Sequence, residues 1–327
     1  MGLLVLVPTA RSASGTTTPI TLPPTTGGCQ TSAPIGGQST SVPLAVNREK
    51  GQVIALVSVC IDGRGPFPLV LDSGATSSEL DSQVVGAAKL PSAGKSTKVA
   101  GVSCTTAAHP VKVMNWSIGP IALQGQTVMS SSIPNFGLHQ APAGLLGSDV
   151  LSRFGAIRID YQHQMLVLPG PEGPVATAVH VVRGPSSTPT PADLLAGYPA
   201  QTTVPMNVAY APHAVVAVAP VYFSSPVEFT FIVDTGSSGS AIAMEAASSL
   251  RLSKLKKRQT VSGVACEAST PLVKSGKWSL AKTPLVAETL PTIKLPTALD
   301  ISGLIGSNQL SRFGSIVLDY AGGRLLI

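Results

Sequence analysis

Two short segments hold the residues best placed to do chemistry, Asp72-Ser73-Gly74 and Asp234-Thr235-Gly236. Each follows an apolar run, Leu69-Val-Leu71 in one case and Phe231-Ile-Val233 in the other, so each aspartate marks the point where a strand yields to a tight turn. Either segment alone reads as an ordinary Asx turn, with the carboxylate closing on nearby backbone N–H groups. The pair offers more. Two carboxyl groups held about 3 Å apart cannot both ionise, so they share one proton and present an acid and a base in the same place. Such a site activates water and protonates a leaving group with neither a metal nor a covalent nucleophile.

The elements that would bring the two segments together are themselves duplicated. Asp72 and Asp234 stand 162 residues apart, and the same offset relates Ser41-Val-Pro-Leu44 to Thr203-Val-Pro-Met206, Val102-Ser-Cys104 to Val264-Ala-Cys266, and Trp116-Ser117 to Trp278-Ser279. After a three-residue slip, Gly144-Leu-Leu-Gly-Ser148 matches Gly303-Leu-Ile-Gly-Ser307, Leu151-Ser-Arg-Phe-Gly155 matches Leu310-Ser-Arg-Phe-Gly314, and Asp160-Tyr161 matches Asp319-Tyr320. One register with one small deletion marks an internal repeat. The chain therefore divides into a leader over 1–40, a first lobe over 41–168, a Pro/Gly/Ser-rich linker over 169–202 and a second lobe over 203–327. Residues 175–182 within the linker are expected to add a strand between the lobes.

Within each unit the pattern is β. Val53–Val59 and Pro68–Leu71 are rich in Val, Leu and Ile around a Gly-Arg-Gly-Pro turn, and Ala214–Ala219 with Phe229–Val233 repeat them. A short helix is expected after each Asp turn, near 81–88 and 241–250, and both units close on a strand, a turn and a final strand. The composition agrees: 44% hydrophobic, only 12% charged, with 32 Gly and 28 Pro, suits a turn-rich β protein. Part of the +6 net charge lies in Arg251-Leu-Ser-Lys-Leu-Lys-Lys-Arg258, read as a solvated helix end. No aromatic residues interleave with it, so nucleic acid is not expected as a partner.

No apolar run approaches the roughly 18 residues of a membrane-spanning helix. Leu3–Val7 followed by small residues has part of the character of an export signal, and the basic segment and longer apolar core that are missing imply a signal peptide starting upstream of Met1. Residues 15–40 carry no charge and read as a flexible exported leader, which places the protein outside the cell or in a bacterial-type envelope. Gly27-Gly28-Cys29 lacks the preceding apolar segment of a lipid-attachment site. Five scattered histidines without an i, i+4 pair, and four cysteines without Cys-x-x-Cys spacing, give no metal site and no cofactor. There is no Gly-x-Ser-x-Gly elbow. Cys104 lies near His109, but the second unit has Pro271 in the place of that histidine, which argues against a thiol nucleophile.

On Leu71-Asp-Ser-Gly-Ala-Thr76 with Gly144-Leu-Leu-Gly147, and Val233-Asp-Thr-Gly-Ser-Ser238 with Gly303-Leu-Ile-Gly306, the chain resembles the pepsin/retropepsin superfamily of aspartic proteases, and most resembles a tandem bacterial retropepsin-like protease. The resemblance covers about 41–327. It implies an all-β fold of two pseudo-twofold-related retropepsin-like lobes with short helices, acting as a monomeric pseudo-dimer on protein or peptide substrates. It also implies roles: Asp72 and Asp234 catalytic, Ser73 and Thr235 locking the two loops across the axis, Gly74 and Gly236 letting N–H groups approach the carboxylates, and Leu145-Leu146 with Leu304-Ile305 packed beneath. One departure is Ala75 against Ser237, whose hydroxyl is expected to reach a carboxylate and make the dyad asymmetric. Gly101 and Gly263 fall where flap hairpins belong, one per lobe. Cys104 and Cys266 are then symmetry mates, either bridged across the axis or free thiols. The alternative to an enzyme is a peptide-binding envelope protein that keeps the fold. Trp116 and Trp278 are expected in the lobe cores, Arg153 and Arg312 in structural hydrogen bonds, and Glu79 and Asp81 as charges at the start of a helix.

Overall fold

The computed structural model describes residues 7–9, 29, 39–101, 104–136, 138, 141–171, 173–174, 176–197, 202–263, 267–295 and 300–327. Strand accounts for 52% and helix for 12%, so the protein is all-β and two-lobed. In the first lobe Gln52–Ile61 and Arg64–Asp72 form an antiparallel hairpin, with Leu56 opposite Val70. Arg64–Asp72 then pairs in parallel with Gly144–Gly147, which sets Asp72 beside Gly147. The sheet continues through Glu79–Asp81, Gln126–Ser131, Cys104–Val113 and Thr97–Gly101. The second lobe repeats this order with Ala214–Tyr222, Glu228–Asp234, Gly303–Gly306, Ala241–Ala243, Thr289–Ile293, Glu267–Lys274 and Lys254–Ser262.

The strand that delivers each aspartate is apolar on both faces, as a strand buried in the middle of a sheet must be. Leu69 and Leu71 turn into the main core with Val57, Leu80 and Leu146, while Val70 faces the other way with Leu56, Ala75 and Leu145. Trp116 and Trp278 are buried, and each indole N–H is satisfied by a carbonyl eight residues on, Gln124 O at 2.8 Å and Val286 O at 2.9 Å. The helices are short. Asp81 caps Ser82–Ala88 by accepting the Gln83 N–H, and Met244–Ser249 follows the strand Ala241–Ala243.

The lobes meet in one sheet. Ala156–Asp160 pairs antiparallel with Ser315–Asp319, Arg158 opposite Val317. Met165–Leu168 and Arg324–Leu326 flank them, with Thr40–Glu49 and Thr203–Pro205 outside. Each repeat contributes equivalent strands to this sheet, which fixes the pseudo-twofold axis.

Several expectations change. The basic run lies largely in the strand Lys254–Ser262, with Lys254, Lys256, Lys257 and Arg258 exposed, rather than at a helix end. The linker strand is His180–Arg183 and belongs with the second lobe, pairing with Asn207–Ala211, where His180 stacks on Tyr210 at 4.4 Å. Glu79 is no helix charge: it is buried in the strand Glu79–Asp81. Arg153 donates to Asp149 O and Gln126 Oε1, whereas Arg312 is exposed. Described parts of the leader touch the body. Val7–Thr9 pairs with Thr260–Ser262, and Cys29 forms a disulfide with Cys60. Cys266 and the side chain of Cys104 lie outside the described residues.

Candidate active site

Each aspartate closes its own turn. Asp72 Oδ1 accepts the N–H groups of Gly74 (3.0 Å) and Ala75 (2.8 Å), and Asp234 Oδ1 accepts those of Gly236 (3.1 Å) and Ser237 (2.9 Å). The two turns then press against each other. A Cβ placed on Gly74 would lie 2.3 Å from Asp234 Cγ, and one on Gly236 would lie 2.2 Å from Asp72 Cγ. Glycine is needed at both positions because the opposite carboxyl fills the space a side chain would take. Both aspartates are fully buried, and Asp72 Oδ2 has no hydrogen-bond donor among the described residues. Its neighbour is the other carboxyl, with which it makes a hydrogen bond once the pair holds a proton.

Hydroxyls tie the turns across the axis. Ser73 Oγ donates to Val233 O and Thr235 Oγ1 to Leu71 O, both at 2.7 Å, while Ser73 N donates to Thr235 Oγ1 and Thr235 N to Ser73 Oγ, both at 3.0 Å. All four groups are buried, so removing one hydroxyl strands a carbonyl and an N–H together. Ser73→Ala is expected to lower unfolding free energy by about 2–4 kcal/mol, read from denaturant unfolding; a loss below about 0.5 kcal/mol would show that the bonds are dispensable.

A further layer supports these loops. Ser148 Oγ donates to Ser73 O and Ser307 Oγ to Thr235 O, both at 2.8 Å. Each serine also meets a tyrosine from the other lobe: Tyr320 OH lies 3.0 Å from Ser148 Oγ, and Tyr161 OH lies 2.9 Å from Ser307 Oγ. Beneath, Asp149 accepts from Ser78 N, Ser78 Oγ and Gln126 Nε2. The second lobe exchanges the acid and the amide: Asn308 Oδ1 accepts from Ser240 Oγ, and Asn308 Nδ2 donates to Glu288. One carboxyl per lobe survives the exchange, buried as Asp149 and half-buried as Glu288.

Burial, and then the charge of Asp234, push the Asp72 carboxyl well above the usual range. Burial raises Asp234 too, against the pull of the Ser237 and Gly236 N–H groups and of Asp72. The pair therefore keeps one proton well above the pH at which a free carboxyl would lose it, and the titration belongs to the pair. Glu79, Asp149 and Glu288 are also raised, burial being the first cause in each. An acid whose folded pKa is raised binds more protons in the folded than in the unfolded state, so stability falls as pH climbs past the ordinary values of 3.8 and 4.5. The melting temperature is expected to be at least about 4 °C higher at pH 5 than at pH 8. The opposite order in calorimetry would contradict these burials.

The aspartyl protease family matches the sequence twice, over residues 57–150 and 219–308, together more than half of the chain. The chain belongs to the aspartyl protease family. A comparison with curated proteins finds no match.

Each family match takes in one Asp turn with its Gly-apolar-apolar-Gly strand. Gly101 ends the strand Thr97–Gly101, opposite Cys104, and Gly263 is buried at the end of Lys254–Ser262. Both glycines lie at the turn ends of hairpins, away from the Asp turns in sequence. Ser237 differs from expectation. Its hydroxyl donates to Gly239 O at 2.6 Å, so its one proton is committed to the backbone and only its N–H serves Asp234. Sequence reasoning missed Ser148, Ser307, Tyr161 and Tyr320 as supports of the site. Their signal was present in the repeated Gly-Ser and Asp-Tyr pairs, but a contact between a serine of one repeat and a tyrosine of the other has no spacing to reveal it.

Proposed function

We propose that the protein is an aspartic endopeptidase that hydrolyses peptide bonds with a water molecule activated between Asp72 and Asp234. The observation that carries this reading is the pair of fully buried carboxyls, each set in the space left by the other turn's glycine. With one proton between them, the ionised member takes a proton from water as it attacks the peptide carbonyl, and the protonated member donates to the carbonyl oxygen. Collapse of the tetrahedral gem-diol breaks the C–N bond: the carboxyl that took the water proton gives it to the leaving amine, and the other carboxylate takes a proton back from a gem-diol hydroxyl, which restores the dyad. The crossed Ser73 and Thr235 bonds hold both carboxyls in place through these transfers. No metal or cofactor takes part in this scheme.

A single chain suffices, because the interlobe sheet supplies within one molecule the contact that two subunits would otherwise make. Export to an oxidising compartment is supported by the Cys29–Cys60 disulfide and by the uncharged leader. The test is cleavage of an unfolded protein by the full chain from acidic to neutral pH, beside Asp72→Asn and Asp234→Asn. Activity confined to the parent sustains the proposal. Folded parent protein that cleaves nothing at any pH favours a peptide-binding role instead.

A further inference from the structure

Residues directly opposite each other in neighbouring strands share a face of the sheet. Leu56 pairs with Val70, Val70 with Leu145, and Leu145 with Glu79, so these four form one row across the first lobe. The row packs with Ala75, whose N–H is bonded to Asp72, and it therefore forms the wall beside the dyad. The second lobe builds the same row from Val218, Ile232, Leu304 and Ala241. Its wall is apolar throughout and includes Ile293.

The first wall is not. Glu79 stands where the second lobe has Ala241. Ser131 stands where it has Ile293, because the pairing of Leu80 with Ser130 corresponds to that of Ile242 with Thr292. Glu79 is 8% and Ser131 6% exposed; the Ser131 hydroxyl lies near enough to hold the Glu79 carboxyl down against its burial, yet neither Glu79 Oε1 nor Ser131 Oγ reaches good hydrogen-bond geometry. A buried carboxylate is ordinarily well hydrogen-bonded and paired with a positive charge, and a single poorly placed hydroxyl supplies neither in full. The charged neighbour acting on Glu79 is Asp81, which repels it and is itself occupied by the Gln83 and Ile133 N–H groups. No cation forms an ion pair with Glu79 among the described residues.

Resting on the protease reading above, we infer that Glu79, with Ser131, is a specificity-determining pair that accepts a cationic side chain, lysine or arginine, of the peptide substrate against the first lobe. A cationic head brings well-aligned N–H donors beyond the Ser131 hydroxyl and the opposite charge that a buried carboxylate needs. Its methylene stem lies along the apolar remainder of the row. The equivalent place in the second lobe takes an apolar side chain. The site thus reads the two sides of the scissile bond differently.

The test uses octapeptides of alternating leucine and alanine in which one lysine or one norleucine is moved through every position. Cleavage by the full chain is compared with that by Glu79→Gln and Glu79→Ala, the latter installing the residue already present in the second lobe. Binding of the same peptides is measured calorimetrically to Asp72→Asn, with and without Glu79→Gln. One lysine position should exceed its norleucine counterpart by about tenfold or more in kcat/KM, and both Glu79 variants should lose that ratio while melting cooperatively. Lysine binding that depends on Glu79 without any cleavage would uphold the subsite and sink hydrolysis. Cleavage with no lysine preference, a preference that survives Glu79→Gln, or failure of every peptide both to bind and to be cleaved would overturn the inference.

Discussion

Asp72→Asn is expected to abolish proteolysis while making the folded protein more stable at pH 7. The loss of activity follows from the shared proton. Acid and base are one unit, so removing either partner removes both, and a fall in kcat/KM of at least about 10³-fold is expected. Asp234→Asn should do the same. The gain in stability follows from burial: Asp72 is fully buried beside a second acid, and both effects push its carboxyl up. At pH 7 the folded state bears the cost of that environment and the unfolded state does not. Asparagine keeps the shape, carries no charge and offers an N–H to Asp234. Its melting temperature should exceed that of the parent at pH 7, and the difference should shrink toward pH 4, where the parent's carboxyls are protonated. A variant that keeps a tenth of the activity would remove Asp72 from the chemistry. One that melts lower at pH 7 would show that the carboxyls do not repel.

Gly236→Ala should damage the dyad with a single methyl. The added carbon would fall 2.2 Å from Asp72 Cγ and 2.4 Å from Oδ1, so something must move. Neither side yields readily. The turn is pinned by Gly236 N and Ser237 N on Asp234 and by the crossed Thr235 bonds, and Asp72 is pinned by Gly74 N and Ala75 N. Overpacking of this kind costs about 1–3 kcal/mol, and a displacement of about 1 Å at the dyad is expected to lower kcat by about 10²-fold. Gly86→Ala is the control. It lies in the helix Ser82–Ala88 with nothing within 4 Å of the added carbon, and should stabilise by about 0.5–1 kcal/mol. Equal behaviour of the two variants in activity and melting would show that the close approach at Gly236 is not what makes it glycine.

Much of this architecture was legible because the chain states its pattern twice. The common offset of Asp72 with Asp234, and of the two Gly-apolar-apolar-Gly strands, located the turns and their supports before any coordinates. What stayed hidden depended on partners far away along the chain. Glu79 beside Asp81 resembles the opening of a helix, and only the pairing of Leu145 with Glu79 shows it to lie in a buried strand. Ser237 carries a hydroxyl in the right place to reach a carboxylate, yet the carbonyl of Gly239 captures it. In Lys254–Arg258 the density of charge hid a strand that shows only in its pairing with Glu267–Lys274. Four cysteines admit three full pairings, and no spacing rule picks Cys29 with Cys60.

The sheet that joins the lobes also frees them to differ. When two identical chains build such a site, every substitution arrives on both sides of the axis, and a peptide lying in the cleft has two equivalent directions. Here the strands Ala156–Asp160 and Ser315–Asp319 belong to one polypeptide, so the place held by Glu79 in one lobe is held by Ala241 in the other, and that of Asp149 by Asn308. The degeneracy is lifted: a peptide running one way through the cleft is no longer equivalent to its reverse, and the N-to-C direction of the substrate becomes something this enzyme fold can sense.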